Sequence, residues 1–256
     1  MNPLLELRDV CLSYHSTYGE TAALSHISFQ VRQGEFLAIV GPSGCGKSTL
    51  LNMISGLITP EHGSILIDGM DQAHSTTNIG YMLQKDHLLE WRTIYKNVLL
   101  GLEIRKNLTP ENIEYAKDLL HTYGLYEFKD KYPSQLSGGM RQRAALIRTL
   151  AVKPDILLLD EAFSALDYQT RLAVTEDVYH IIRQEHKTTI MVTHDIPEAI
   201  SMSDRVIVLS SRPAVVKNIH TINFCDLQER TPLSCREHQD FRAYFNTIWK
   251  ELDVHV

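Results

Sequence analysis

Residues 41–49 read Gly41-Pro42-Ser43-Gly44-Cys45-Gly46-Lys47-Ser48-Thr49, which has the spacing G-x-x-x-x-G-K-S/T. The apolar run 36–40 before this segment predicts a buried strand, and residues 50–57 after it predict a helix packed on a sheet. Between a strand and a helix, glycines let backbone N–H groups curl around an anion, and the helix N-terminus adds partial positive charge. We therefore interpret the segment as a phosphate-binding loop rather than an ordinary glycine-rich turn. In such a loop Lys47 reaches the outer phosphates and the Ser48 hydroxyl holds Mg²⁺.

Composition limits the class of protein. The chain has 256 residues, of which 44% are hydrophobic and 22% charged, enough for one large α/β domain or a core with a small subdomain. The formal net charge of −6 predicts no general affinity for nucleic acid. Four widely spaced cysteines without a C-x-x-C pair argue against disulfides or zinc and favour a reducing compartment. We expect neither a signal peptide nor a membrane-spanning helix.

Apolar patterning predicts the order of the elements. Alternation over 4–10 and 27–32 predicts half-buried strands, and three continuous apolar runs near 156–159, 189–192 and 206–209 predict a parallel sheet. From these patterns we expect one domain over 1–256. Its predicted parts are a catalytic core of 1–85 with 153–225, an inserted helical subdomain of about 86–152, and a helical tail of about 226–256.

Two adjacent carboxylates end the first of these apolar runs. In a protein with a phosphate loop, Asp160 belongs beside Mg²⁺, and Glu161 is placed to accept a proton from the attacking water or to orient it. The alternative is a strand that ends in two solvated acidic residues without a function. The presence of a phosphate loop in the same chain argues against this alternative.

A second anion-binding helix start is predicted at Leu136-Ser137-Gly138-Gly139-Met140-Arg141-Gln142-Arg143. Ser137 suits a helix cap, although glycines directly after a cap cost about 1 kcal/mol each relative to alanine. Their bare N–H groups at a positive helix end favour a second anion site. Because the chain has one phosphate loop, the nucleotide of a second chain is the natural occupant.

In this order the three motifs resemble the ATP-binding cassette (ABC) family. The resemblance covers about residues 5–220 and implies a RecA-like P-loop NTPase core. That core has a parallel sheet, an N-terminal antiparallel β subdomain and an inserted helical subdomain. It also implies binding of ATP and Mg²⁺, with the ion on Ser48, Gln84 and Asp160.

The resemblance extends to further residues. Tyr14 matches the aromatic residue that stacks on adenine, and Gln84 matches the glutamine that contacts Mg²⁺ and water. His194 matches the histidine that contacts the γ-phosphate and helps orient Glu161. In Ser164-Ala165-Leu166-Asp167, Asp167 matches the loop that crosses to the partner chain.

Two positions depart from the common pattern. Met140 stands where many members have glutamine. The substitution affects a side-chain contact at that site and leaves its backbone role unchanged. Glu90, in Leu88-Leu89-Glu90-Trp91-Arg92-Thr93, stands where related importers often have proline.

Within the family, Leu-Leu-x-Trp-Arg-Thr, Leu-Ser-Gly-Gly-Met and Ser211-Arg212-Pro213 resemble the nitrate/sulfonate/taurine importer ATPases. This implies a homodimer that sandwiches two ATP molecules and works on integral membrane permease subunits at the cytoplasmic face of the cell membrane. An external solute-binding protein would take part indirectly. The alternatives are a non-transport ABC ATPase acting on nucleic acid or the ribosome, and a regulatory binder without ATPase activity. Short spacing between the motifs, a single cassette and the acidic balance disfavour the first, and intact Lys47, Glu161 and His194 disfavour the second.

Two further expectations concern side-chain accessibility. Cys45 lies inside the phosphate loop, so we expect alkylation of its thiol to inactivate the protein and MgATP to protect it. The apolar residues of 86–92 are expected to lie at a surface, where part of them lines a groove for a membrane subunit. The alternative is that Leu88 or Leu89 belongs to the core of the helical subdomain.

Overall fold

Strands and helices alternate along most of the chain, as the apolar runs predict. The computed structural model describes residues 3–17, 19–225 and 227–252. The strands are β1 (Leu5–Ser16), β2 (Gly19–Val31), β3 (Phe36–Val40), β4 (His62–Ile67), β5 (Met70–Asp71), β6 (Ile79–Met82), β7 (Ile156–Asp160), β8 (Thr188–Val192), β9 (Arg205–Leu209) and β10 (Val216–Thr221). The α-helices are α1 (Lys47–Ile54), α2 (Ile94–Ile104), α3 (Pro110–Thr122), α4 (Gly138–Leu150), α5 (Tyr168–Gln184), α6 (Ile196–Met202), α7 (Pro232–Glu237) and α8 (Phe241–Glu251).

The backbone packs into two units. The first comprises Met1–Thr77 with His186–Val256, and the second comprises Asn78–Glu185. This partition follows packing alone. The predicted division into catalytic core, helical subdomain and tail is a functional one, and it stays a prediction. The outer limits of the predicted 1–256 domain lie outside the described residues.

The first unit contains a four-stranded antiparallel sheet in the order β2-β1-β4-β5. Leu5 pairs with Val31 of β2 and with Ile67 of β4, and all three side chains are buried. The hairpin of β1 and β2 extends beyond the predicted strands, from 4–10 to Ser16 and from 27–32 back to Gly19. Its outer part pairs through the backbone while residues 19–22 are exposed, so side-chain alternation does not reveal it.

A second sheet of the first unit carries the phosphate loop. Its strands run in the order β10-β9-β3-β8, with β3 parallel to both β8 and β9 and β10 antiparallel to β9. All residues of β3 and β8 are buried, as expected for parallel strands that are covered on both faces. The loop follows β3 and leads into α1.

The second unit pairs β6 with β7 in parallel and contains helices α2, α3, α4 and α5. Thr109 caps α3 by accepting a hydrogen bond from Asn112 N, with Pro110 at the first helical position, as predicted. Helix α2, which begins at the cap Thr93, and helix α6 of the first unit were not predicted from the sequence. The mixed α/β architecture with parallel and antiparallel sheets confirms the predicted fold class.

Candidate functional site

The phosphate loop needs glycine at two positions. Gly44 and Gly46 have φ of +74° and +119°, a region that side chains disfavour. A Cβ on Gly46 would also lie 2.9 Å from Leu24 Cδ2 and 3.3 Å from Ala23 O. The loop therefore fits closely against β2, and alanine at position 46 would displace it.

Lys47 is held inside this loop. Its side chain is buried, and Nζ donates hydrogen bonds to Gly41 O at 2.8 Å and to Pro42 O at 3.0 Å. A buried ammonium group needs such acceptors because it has lost its hydration. The cation is thereby fixed where the loop curls and where an anion would meet it.

Other predicted residues of the first unit lie near helix and strand ends. Ser48 is exposed in the first turn of α1, and Tyr14 donates to or accepts from Thr49 Oγ1 at 3.0 Å. Tyr14 as a residue remains 45% exposed, so its side chain is accessible for stacking. His194 is exposed beyond the end of β8, and the next residue, Asp195, caps α6 through Glu198 N.

Cys45 corrects an expectation drawn from the sequence. The thiol is buried, with 1% of the residue exposed, and its Sγ lies 2.9 Å from the place a Cβ on Gly41 would take. Burial raises the pKa of the thiol, although the charges of Lys47 and Arg212 act to lower it. An accessible, reactive thiol was therefore the wrong expectation, because the side chain packs beside Gly41 and is almost fully covered.

In the second unit the two carboxylates at the end of β7 have different surroundings. Asp160 is buried and accepts a hydrogen bond from the Tyr81 hydroxyl at 3.3 Å. Burial and the neighbouring Asp160 raise the pKa of Tyr81. Glu161 has φ of +45° and begins a turn in which the Ser164 amide and hydroxyl both donate to its carbonyl.

The structure brings Gln84 and Glu161 together. Gln84 Nε2 donates to Glu161 Oε2 at 3.1 Å, although the residues are 77 positions apart. Strand β6, which ends at Met82, pairs with β7 and so places the two stretches side by side. A carboxylate oriented by an amide suits a base that holds a water.

The helix start predicted at Ser137 forms, and its role as a second anion site stays a prediction. Ser137 Oγ accepts from Met140 N at 3.3 Å and caps α4, while Ser137 and Gly138 are exposed. A Cβ on Gly139 would lie 2.9 Å from Val174 Cγ2, so close helix packing explains this glycine. Asp167 caps α5 by accepting from Thr170 N, and that contact with Thr170 lowers the pKa of Asp167.

Two arginines of α4 hold the segment after Gln84. Arg141 donates to Asp86 at 2.8 and 3.2 Å and to Glu90 at 2.9 Å. Arg148 donates to the carbonyls of Asp86 and His87 at 2.6 and 2.7 Å. Glu90, the departure from the importer pattern, thus contributes to the attachment.

The apolar residues of this segment divide between core and surface. Leu88 is buried, Leu89 is half-buried, and Trp91 is 74% exposed. The core alternative therefore holds for Leu88. The groove itself stays a prediction.

Sequence reasoning missed three contributors: Tyr81, Arg148 and the role of Arg212, whose Nη2 donates to Gly44 O at 2.7 Å. Tyr81 lies three positions before Gln84, and Arg212 lies in the Ser211-Arg212-Pro213 motif, which served only to identify a subgroup. The closeness of Tyr81 to a predicted site residue in the sequence, and the place of Arg212 in a recognised motif, were usable signals. The contacts that these side chains make depend on the tertiary fold.

Among the described residues, no three His, Cys, Asp or Glu side chains gather as a metal site. Nor does any helix in that part of the chain have the length and apolarity to span a membrane.

Comparison with known proteins gives consistent matches. Residues 24–164 match the family model described as ABC transporter. The uncharacterized ABC transporter ATP-binding protein YtlC of Bacillus subtilis (strain 168) is 47% identical over 249 residues, covering 97% of this chain and 95% of that protein. The nitrate import ATP-binding protein NrtD of Synechocystis sp. is 40% identical over 228 residues, covering 89% of this chain and 85% of that protein.

A solved structure is similar over most of the chain. The dimeric ATP-binding cassette MJ0796, in a post-hydrolysis state bound to ADP and Pi, has a TM-score of 0.72 at 30% identity. The match covers 86% of this chain and 99% of the MJ0796 chain.

Proposed function

This chain belongs to the ABC transporter family as an ATP-binding subunit with ATPase activity, and from that premise we propose that it powers solute uptake through partner membrane subunits. The observation that carries the catalytic part is the Gln84–Glu161 hydrogen bond of 3.1 Å at the end of a buried strand. It gives one carboxylate a fixed orientation, which a general base requires.

Residues 41–49 bind the phosphates of ATP in this proposal, with Lys47 on the outer phosphates and Tyr14 against adenine. The geometry of the loop supports these roles, since Gly44 and Gly46 adopt positive φ directly before the N-terminus of α1. Lys47 is already fixed at the loop, so little side-chain entropy is lost when a phosphate binds.

Glu161 then acts on the attacking water, with His194 at the γ-phosphate. The oxygen donors of Ser48, Gln84 and Asp160 are of the hard kind that Mg²⁺ prefers, so they fit the ion. Bound there, Mg²⁺ would neutralise phosphate charge that develops during hydrolysis. Tyr81 holds the Asp160 carboxylate through its hydroxyl and thereby limits its rotation.

A second copy of the chain completes the site in this proposal. The signature residues Ser137, Gly138, Gly139 and Met140 would meet the partner's ATP. Asp167 would lie in the loop that crosses between the copies. Ser137 and Gly138 are exposed at a capped helix start, which supports the proposal. The dimeric state of MJ0796 is consistent with it.

Integral membrane permease subunits are the proposed recipients of the motion, at the cytoplasmic face of the cell membrane, with an external solute-binding protein acting indirectly. The resemblance to the nitrate import protein NrtD favours a small anion such as nitrate as the solute. The motif resemblance to the wider importer subgroup extends the proposed class to a sulfonate, taurine or a related organic anion or heterocycle. Action on nucleic acid or the ribosome is the alternative, and the net charge of −6 disfavours it.

One experiment separates these functions. The tagged chain is expressed in its own host, where all of its natural partners are present. The integral membrane proteins, ribosomes and nucleic acid that co-purify with it are then quantified. We expect enrichment of a permease, and uptake of candidate solutes that is lost in Glu161→Gln. Enrichment of ribosomes or DNA without a permease would overturn the transport proposal while leaving the ATPase intact.

A further inference from the structure

A turn distant in sequence touches the phosphate loop. Arg212, in the turn 210–215 between β9 and β10, donates from Nη2 to Gly44 O at 2.7 Å. The residues are 168 positions apart. A guanidinium donor makes this a charge-assisted hydrogen bond, which is stronger than one between neutral groups.

The turn that carries Arg212 is itself fixed. Ser210 N donates to Val215 O at 3.0 Å, and Val215 N donates to Ser210 Oγ at 3.0 Å. Ala214 is fully buried and exchanges backbone hydrogen bonds of 2.9 Å with Ala23 and Ser25 of β2. The arginine therefore extends from a rigid base that is joined to the same strand against which Gly46 fits.

The contact reaches a position of the loop that has few other restraints. Gly44 has φ of +74°, and a Cβ there would find no atom within 4 Å. Gly41 and Pro42, by contrast, are held through Lys47. Glycine loses more conformational freedom on ordering than any other residue, so an anchor at Gly44 lowers the entropy cost of shaping the loop around phosphate.

We propose that Arg212 is a positioning residue for nucleotide, which holds the phosphate loop in its ATP-binding conformation through the Gly44 carbonyl. The inference rests on the proposed ATP site at residues 41–49. Arg212 acts through the loop, so its loss is expected to weaken binding and to leave the chemical step, carried by Glu161, nearly unchanged.

The test compares MgATP affinity by calorimetry and steady-state ATPase kinetics in four variants. For Arg212→Ala we expect Kd and KM to rise about tenfold, with kcat within about twofold of wild type. Arg212→Lys keeps one charged donor and is expected to stay within about threefold of wild-type Kd. Arg242→Ala, which removes an exposed arginine of α8, is the charge-matched control and should bind normally.

Thermal unfolding without nucleotide accompanies each measurement. Unchanged melting of Arg212→Ala, with weakened binding and rescue by lysine, supports the inference. Wild-type affinity in Arg212→Ala overturns it, as does a loss that lysine does not rescue and that tracks a lower melting temperature. Lys47→Ala, the fourth variant, tests the proposed ATP site separately from the role of Arg212. Normal MgATP binding in that variant would overturn the proposed site itself, and the inference with it.

Discussion

At the end of β7 the backbone of Glu161 takes φ of +45°, which is uncommon for a residue with a side chain. The Ser164 amide and hydroxyl hold its carbonyl, and Gln84 holds its carboxylate. Local strain of this kind persists where the surroundings fix it, and it is frequent at functional sites. The turn thus directs the Glu161 carboxylate away from the buried strand β7, which ends at Asp160.

Replacing Glu161 with glutamine keeps the size of the side chain and removes the proton acceptor. We expect ATP hydrolysis to fall by about 10²–10⁴-fold while MgATP affinity stays near wild type, because the phosphate contacts are unaltered. Phosphate release and equilibrium binding measure the two effects. As a control, Lys47→Ala should lose binding itself, and near-normal hydrolysis in Glu161→Gln would show that another group is the base.

The burial of Cys45 leads to a prediction opposite to the one from sequence. Because the thiol is buried and burial raises its pKa, a maleimide should modify it slowly, with or without MgATP. Cys225, which is exposed, should react first. Mass spectrometry of peptides after timed labelling checks this, and rapid labelling of Cys45 that MgATP prevents would restore the original expectation.

At the scale of elements, α4 joins the helix start capped by Ser137, where a second anion site is proposed, to the segment that follows Gln84. Arg141 and Arg148 make these attachments through Asp86, His87 and Glu90. A helix and a segment held by several charge-assisted bonds should move together, which suits the proposed role of this region in passing motion to a permease.

Asp86 makes this attachment dependent on pH. Burial acts to raise the pKa of Asp86, but hydrogen bonds from Arg141 and Leu88 outweigh it, so the pKa lies below the ordinary value of 3.8. A depressed folded pKa stabilises the protein above the unfolded pKa, and this stability is lost as pH falls through the folded value.

We therefore expect Asp86→Asn to lower the free energy of unfolding by about 1–3 kcal/mol at pH 7. The difference from wild type should shrink as pH falls below about 4. Denaturant titrations at several pH values measure it. Glu114→Gln, which disrupts an exposed pair with Lys117, should change the free energy of unfolding little, and an equal cost in both variants would contradict the argument.

The segment with Trp91 yields a test of permease docking. Trp91 is 74% exposed, so Trp91→Ala should leave thermal stability and MgATP affinity unchanged. If the side chain anchors a membrane subunit, co-purification with the permease should weaken by about 30-fold, as for an aromatic hot spot.

Two leucines serve as comparisons for Trp91. Leu89→Asp, at a half-buried position, should keep MgATP affinity and also weaken assembly. Leu88→Ala removes a buried side chain and should cost about 2–5 kcal/mol of stability. Normal assembly in both Trp91→Ala and Leu89→Asp would place the docking groove elsewhere.

At the scale of the whole molecule, the proposed dimer can be tested through the helix cap. In Glu161→Gln with MgATP we expect the mass by light scattering to double, since hydrolysis no longer reopens the dimer. Adding Ser137→Asp keeps a strong cap but places negative charge where the partner's phosphates would lie, so the mass should stay that of a monomer.

The matched control for that charge is Ser137→Asn, which caps equally well and is neutral. It should still dimerise in the Glu161→Gln background. A dimer that tolerates Ser137→Asp would show that α4 does not face the partner's nucleotide.

Much of the fold and of the candidate site was predictable because the signals are local. The phosphate-loop spacing, the Ser137 cap and the apolar run ending at Asp160 each depend on hydrogen bonds or periodicity within a few residues. Features that depend on so few neighbouring residues can be predicted from the sequence directly. The family resemblance then supplied the proposed roles of the separated motifs.

The tertiary structure alone decided which distant groups meet. Arg212 reaches Gly44 across 168 positions, and Arg141 reaches Asp86 across 55. The burial of Cys45 likewise depends on how the loop packs against β9, and the exposure of Trp91 depends on the helices around it. Such contacts follow from the pairing of strands and the packing of helices, and no local spacing or periodicity encodes them.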